Sequence, residues 1–130
     1  MSDKDCVFCK RIENGEYDDK FANFVSFEPL NPVTPGHLLV VPVVHSPHLN
    51  DGLLEASQVG WALRYFTNDL ESYNLITSKG DPATQTVQHL HFHIVPRREN
   101  DGLVLPWTNQ AERAGSQPKA SEGTTDRSAS

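Results

Sequence analysis

The sequence predicts an α+β domain with a largely antiparallel sheet. Two observations lead there: short strand-forming segments are interrupted by a single long segment with helical periodicity, and the connections are short. In chain order, Cys6–Gly15 reads as a short helix with Gly15 as its stop. Phe21–Phe27 (FANFVSF) carries strand formers. Residues 28–36 (EPLNPVTPG) hold three prolines, which forbid a helix or a central strand and make a rigid loop. His37–Pro42 (HLLVVP) is a continuous apolar run, a strand buried in the sheet. Asn50 or Asp51 caps a helix running to about Tyr73, with Val59, Ala62, Leu63, Phe66, Leu70 and Tyr73 on one apolar face. Leu75–Thr77 starts another strand, Gly80-Asp81-Pro82 turns the chain, and Thr86–Val95 is the last strand, ended by Pro96. One amphipathic helix covers one sheet face, and dimerisation is a simple way to cover the rest.

The 130 residues and 14.5 kDa suit one domain, placed at residues 4–107. After Trp107 there is no aromatic residue, Leu, Ile, Val or Met, so 108–130 is expected to be a disordered tail. No apolar run approaches the ~20 residues of a membrane helix, and the N-terminus (MSDKDCVFCK) lacks a signal peptide's apolar stretch. The net charge of -6, with no basic run beyond Arg97-Arg98, argues against a general nucleic-acid binder. Cys6 and Cys9 stand at Cys-x-x-Cys spacing. In the reducing cytoplasm expected for a chain without a signal, that spacing points to metal ligation or thiol redox chemistry rather than a structural disulfide.

Six histidines are present: His37, His45, His48, His89, His91 and His93. Three alternate in QHLHFHIVP. On a strand they share one face at about 6.6 Å per step, with Leu90, Phe92 and Ile94 on the other. A polar row on a rigid strand is what a positioned catalytic site needs. The same row also suits a metal site, and from this segment alone both readings stand.

His89-Leu90-His91-Phe92-His93-Ile94-Val95, Cys6-Val7-Phe8-Cys9-Lys10, the loop from Pro32 to His37, the strand Leu38–Pro42 with His45 after it, Gln85-Thr86-Val87 and Pro96-Arg97 form an ordered set. Over about residues 6–98 this set resembles the histidine triad family of nucleotide hydrolases and transferases. The resemblance implies a five-stranded antiparallel sheet with one long and one short helix, and a homodimer whose sheets join into ten strands. It implies a hydrolase of purine nucleoside phosphoramidates or related conjugates, acting at the α-phosphate through a nucleotidyl-His91 intermediate. In this likeness the His89 carbonyl orients His91. His93 and His37 stabilise the phosphate, and Gln85 and Thr86 contact the phosphate or leaving group. Val7, Phe8, Phe27 and Leu30 line the base pocket.

Two departures bear on binding. Pro29 stands where relatives carry an Asp or Asn for the ribose, leaving Glu28 as a substitute, and Ser78 stands where they carry Asn or Gln. The resemblance further implies a structural zinc on Cys6, Cys9, His45 and His89, with His48 a possible substitute ligand. Pro96-Arg97-Arg98 is closer to the diadenosine polyphosphate hydrolase branch, which gives an alternative substrate. A zinc-stabilised nucleotide-binding module with little turnover is a third reading.

Overall fold

A computed structural model of the chain describes residues 3–108. The elements run α1 (Val7–Glu13), β1 (Asp19–Phe21), β2 (Phe24–Phe27), β3 (Leu38–Pro42), α2 (Ala56–Thr67), β4 (Tyr73–Ile76) and β5 (Phe92–Pro96), with one 3-10 turn at Asp81–Ala83. The strands form a single five-stranded sheet in the order β1-β2-β3-β5-β4, antiparallel at every pairing. The expected α+β architecture, with one short and one long helix, is the one observed.

Three elements differ from the sequence reading, each for a local physical reason. Phe21–Phe27 is a hairpin and not one strand. Its phenylalanines at steps of three cannot share a face of a single strand. The chain reverses at Ala22–Asn23, with Ala22 at φ 54°, and pairs Phe21 with Phe24. The long helix is shorter than expected at both ends. Gly52 at φ 83° breaks the backbone, and Asp51 accepts from the Leu53 N–H at 2.9 Å in a local turn instead of capping the helix. At the other end Asn68 closes α2, and Tyr73 already belongs to β4. The last strand begins at Phe92, not Thr86, and runs through Pro96, which pairs with Tyr73. Upstream of it, the Leu90 N–H donates to the Ser46 carbonyl at 2.6 Å, outside the sheet ladder.

The sheet separates two apolar clusters. One lies under α2 and joins Phe24, Val40, Val59, Ala62, Leu90, Phe92 and Ile94. The other lies under α1 and joins Phe8, Val25, Phe27, Leu39 and Val41. Strand alternation assigns each residue to its face: Val40 is paired with Phe92 on the α2 side, and Leu39 with His93 on the α1 side. The proline-rich loop 28–36 is pinned at its end. Gly36 has φ 87°, and a Cβ there would meet the Pro96 ring at 3.2 Å, so only glycine suits the position. Arg98 donates to Thr34 Oγ1 at 2.9 Å and to the Pro35 carbonyl at 3.2 Å.

By compactness the chain divides between Glu99 and Asn100 into two units. Within the second unit, the Leu105 N–H donates to Thr108 Oγ1 and the Thr108 N–H to the Leu105 carbonyl, at 2.7 and 2.8 Å. The tail expected over 108–130 falls outside the described residues, apart from Thr108. No helix among the described residues is long and apolar enough to cross a membrane.

Candidate active site and metal cluster

The α1 side of the sheet carries the histidines, and their hydrogen-bond partners fix which nitrogen of each ring bears the proton. A peptide N–H can only donate and a peptide carbonyl can only accept. His37 Nδ1 lies 3.1 Å from the Val33 N–H, so Nδ1 accepts and Nε2 carries the proton. That Nε2–H faces His93 Nδ1 at 2.9 Å, so His93 Nδ1 accepts in turn and its own proton sits on Nε2. His91 Nδ1 lies 2.8 Å from the His89 carbonyl and must donate to it, which leaves His91 Nε2 with a free lone pair. The rings of His91 and His93 are neighbours, with centroids 5.4 Å apart. The structure therefore brings together one imidazole lone pair and one imidazole N–H.

Burial favours the neutral form of His37 and His93. His37 is buried, and desolvation lowers its pKa below the usual 6.5, with Glu28 pulling weakly the other way. Burial also pushes His93 down to about 4, helped by the neighbouring His91 and His37. Phe8 packs edge-on against His91 with ring centroids 5.1 Å apart. Thr77 Oγ1 donates to the His91 carbonyl at 2.8 Å.

His89 leaves the row. It is fully buried, and its Nε2–H donates to the Pro42 carbonyl at 2.9 Å. Its Nδ1 lone pair therefore faces Cys6 Sγ at 3.3 Å, Cys9 Sγ at 3.5 Å and His45 Nδ1 at 3.1 Å. Cys9 Sγ also lies 3.4 Å from His45 Nδ1. All four donor atoms lie within 4.8 Å of one another.

Tetrahedral zinc with Zn–S of about 2.3 Å and Zn–N of about 2.0 Å sets its ligand atoms about 3.3–3.8 Å apart. The cluster has nearly this size and a closed Cys2His2 composition. Burial holds His89 neutral, down to about 4, and pushes the Cys9 thiol up. Without a cation, two thiols and two ring nitrogens crowd one another, whereas a shared metal ion satisfies all four. The Pro42 carbonyl behind His89 is the type of partner that orients a metal-binding imidazole. Asp3 lies 3.8 Å from the far nitrogen of His45. The cluster thus fits a metal ion. His48 is outside it; its Nδ1 accepts from the Asn50 N–H.

The remaining expected site residues are dispersed. Gln85 is buried, and its amide is engaged with the backbone of Pro47, Gly80 and Val87 at 2.8–3.2 Å. Thr86 is exposed and lines a groove with Cys6, Val7, His45 and Gln88. Phe8 and Phe27 belong to the α1-side core, with ring centroids 5.4 Å apart, and the Arg11 guanidinium lies 4.0 Å over Phe27. Val7 is half exposed and Leu30 is 90% exposed. Glu28 is exposed, while Ser78 is half-buried. Sequence reasoning missed Thr77 and the backbone groups of Val33 and Pro42. Thr77 sits just beyond β4, beside the Ile76–His93 pair, and only strand register reveals its reach to His91.

Residues 17–100 match the HIT domain family model. The chain belongs to the HIT family. It is similar to an uncharacterized HIT-like protein of Methanocaldococcus jannaschii, 34% identical over 117 residues, covering 77% of this chain and 84% of that one. It is also similar to adenosine 5'-monophosphoramidase of Saccharomyces cerevisiae, 32% identical, covering 83% of this chain and 73% of that one. Among solved structures it resembles a zinc-bound histidine triad family protein of Mycobacterium smegmatis. The TM-score is 0.62 at 31% identity, over 85% of this chain and 89% of the other.

Proposed function

We propose that this HIT protein hydrolyses purine nucleoside phosphoramidates or related nucleotide conjugates at the α-phosphorus. The observation that carries the reading is the His91 ring, held by Nδ1–H on the His89 carbonyl with Nε2 left as a nucleophile. Nε2 attacks phosphorus, the P–N bond to the leaving amine breaks, and the amine departs with the electron pair and takes up a proton from solvent. Thr86 donates a hydrogen bond to the bridging atom. Water then attacks the nucleotidyl-histidine and gives up a proton to solvent, the P–Nε2 bond breaks with its electron pair left on Nε2, and neutral His91 and the nucleoside monophosphate are released. His93 Nε2–H stabilises the non-bridging oxygens. His37 has both ring nitrogens engaged and acts through His93, and Gln85 braces the loop before the histidines. Val7 and Leu30 offer apolar surface to the base, with Phe8 and Phe27 behind them. Glu28 takes the ribose contact that Pro29 lacks, and Ser78 reaches the phosphates.

The relative from Saccharomyces cerevisiae, named a monophosphoramidase, supports the phosphoramidate reading over a diadenosine polyphosphate. Arg97 donates to Asn74 at 2.6 Å and Arg98 to Thr34, so the Pro-Arg-Arg stretch has structural work in this fold. Cys6, Cys9, His45 and His89 would hold zinc as a structural ion that ties α1 to the segment bearing His91, and a reducing cytoplasm would keep the two cysteines out of a disulfide and available to the metal. A homodimer joins two sheets through β4, an edge strand whose Tyr73, Leu75 and Ile76 are all exposed. Light scattering should give twice 14.5 kDa.

The test of the catalytic reading is intact-mass spectrometry after rapid acid quench with adenosine phosphoramidate. An adenylyl adduct should form on the wild type and be absent from His91→Asn, with turnover lowered roughly 10^4-fold or more and an unchanged far-UV spectrum. Hydrolysis retained by His91→Asn would overturn it.

A further inference from the structure

The sheet face away from the histidines is not fully covered. Between the end of α2 and strands β1–β3 lies a cavity of about 610 Å3. Ser26 and Leu38 form its floor, Trp61 and Tyr65 stand on the α2 side, and Asp18, Asp19 and Asp69 surround it. Strand register confirms the side: Ser26 pairs with Asp19 and Val40, on the α2 face.

Three features of this cavity have no use in the proposed reaction. The Ser26 side chain is 2% exposed, lines the cavity, and has no hydrogen-bond partner among the described residues. Native interiors leave few polar groups in that state, and each calls for a partner. Three carboxylates face one guanidinium, that of Arg64, which lies 5.1 Å over the Trp61 ring. The C-terminal end of α2 adds its negative dipole end. Finally, the aromatic wall is built and held: Tyr65 stacks on Phe21 at 4.3 Å between centroids, and its hydroxyl donates to Asp19 Oδ2 at 2.9 Å. Trp61 is nevertheless 60% exposed.

We infer that this cavity binds a small organic cation, a primary ammonium on an apolar stem. The ammonium supplies the donor that Ser26 Oγ lacks and pairs with the carboxylates, while the stem lies against Trp61 and Tyr65. Aromatic faces and carboxylates together select a cation of this kind. An anion meets the carboxylates, and a bare metal ion finds no use for the aromatic wall. The site is separate from the histidines, on the opposite face of the sheet.

The test uses the full chain and hexylammonium chloride, followed by the NMR shift of the Trp61 indole N–H. Hexanol and sodium hexanoate serve as neutral and anionic controls of the same stem. Saturable binding of the ammonium, about tenfold tighter than either control, is expected. The double variant Asp18→Asn/Asp69→Asn, changed only at exposed positions, should weaken it about fivefold or more and leave phosphoramidate hydrolysis unchanged. Ser26→Ala should weaken it further without altering the hexanol titration. Equal binding of hexanol, no saturable shift, or a double variant that titrates like the wild type would each overturn the inference. Tighter binding of a blocked lysine tripeptide than of hexylammonium would overturn the small-molecule assignment.

Discussion

The two faces of the sheet are built from the same strands and are held by different forces. On the α2 face, Phe92 and Ile94 of β5 meet Val59 and Ala62 in a dry apolar layer. On the α1 face, the residue between them, His93, is held by a hydrogen bond to His37, and the nearby His89 lies in a polar cluster. Around β5 the first face is held by non-directional packing, while the second adds defined donors and acceptors to its own apolar core. One strand can therefore anchor the fold on one side and aim side chains on the other.

The sharpest way to break this contrast is to damage the dry face alone. Ile94→Ala should cost about 2–5 kcal/mol in urea unfolding, while the adenylylation rate per folded molecule changes little. A comparable loss of rate would show that the two faces are not separable. The polar face should respond in the other sense to metal removal. Elemental analysis should count one zinc per chain in the untreated protein and none after chelation or in Cys9→Ser, and either change should lower Tm and slow adduct formation on His91. An unchanged Tm would exclude a structural metal.

Acid probes the same face through protonation. His93 and His37 are held neutral by burial, with folded pKa values below the unfolded 6.5 and, for His93, about 4. As pH falls below 6.5 the unfolded chain takes up these protons before the folded one does. Their contribution is thus complete above pH 6.5 and is lost towards pH 4. Urea titrations across that range should show stability falling, and His93→Gln should flatten the fall. The smallest expected effect is that of Thr77→Val. It removes one hydrogen bond to the His91 carbonyl, about 0.5–1.5 kcal/mol, and should lower Tm by a few degrees and kcat a few-fold with KM nearly unchanged.

Much of the dry face was legible in the sequence, because apolar periodicity is a local signal. Val59, Ala62 and Leu63 announce α2, and His37–Pro42 announces β3. The ends of α2 were not legible, since Gly52 at positive φ and the Asp51 turn compete with capping at a cost no periodicity reveals. On the polar face, alternation made the residue types readable, and only the family resemblance put His89 with Cys6, Cys9 and His45, where the structure has it. Alternation puts His89, His91 and His93 in one row. The Leu90 N–H bond to Ser46 takes the segment out of the ladder and sends His89 to the cysteines instead. The ring tautomers depend on Val33 and Pro42 backbone groups, brought near by tertiary structure alone.

The segment 89–91 has a consequence for how far this chain can be altered. Three successive side chains go to three separate destinations: His89 to the cluster, Leu90 to the α2-side core, and His91 to the site. Such a segment has no slack to absorb an inserted or deleted residue. The count of one residue between these two histidines behaves as a fixed length, because Leu90 is anchored on one face of the sheet and the histidines on the other.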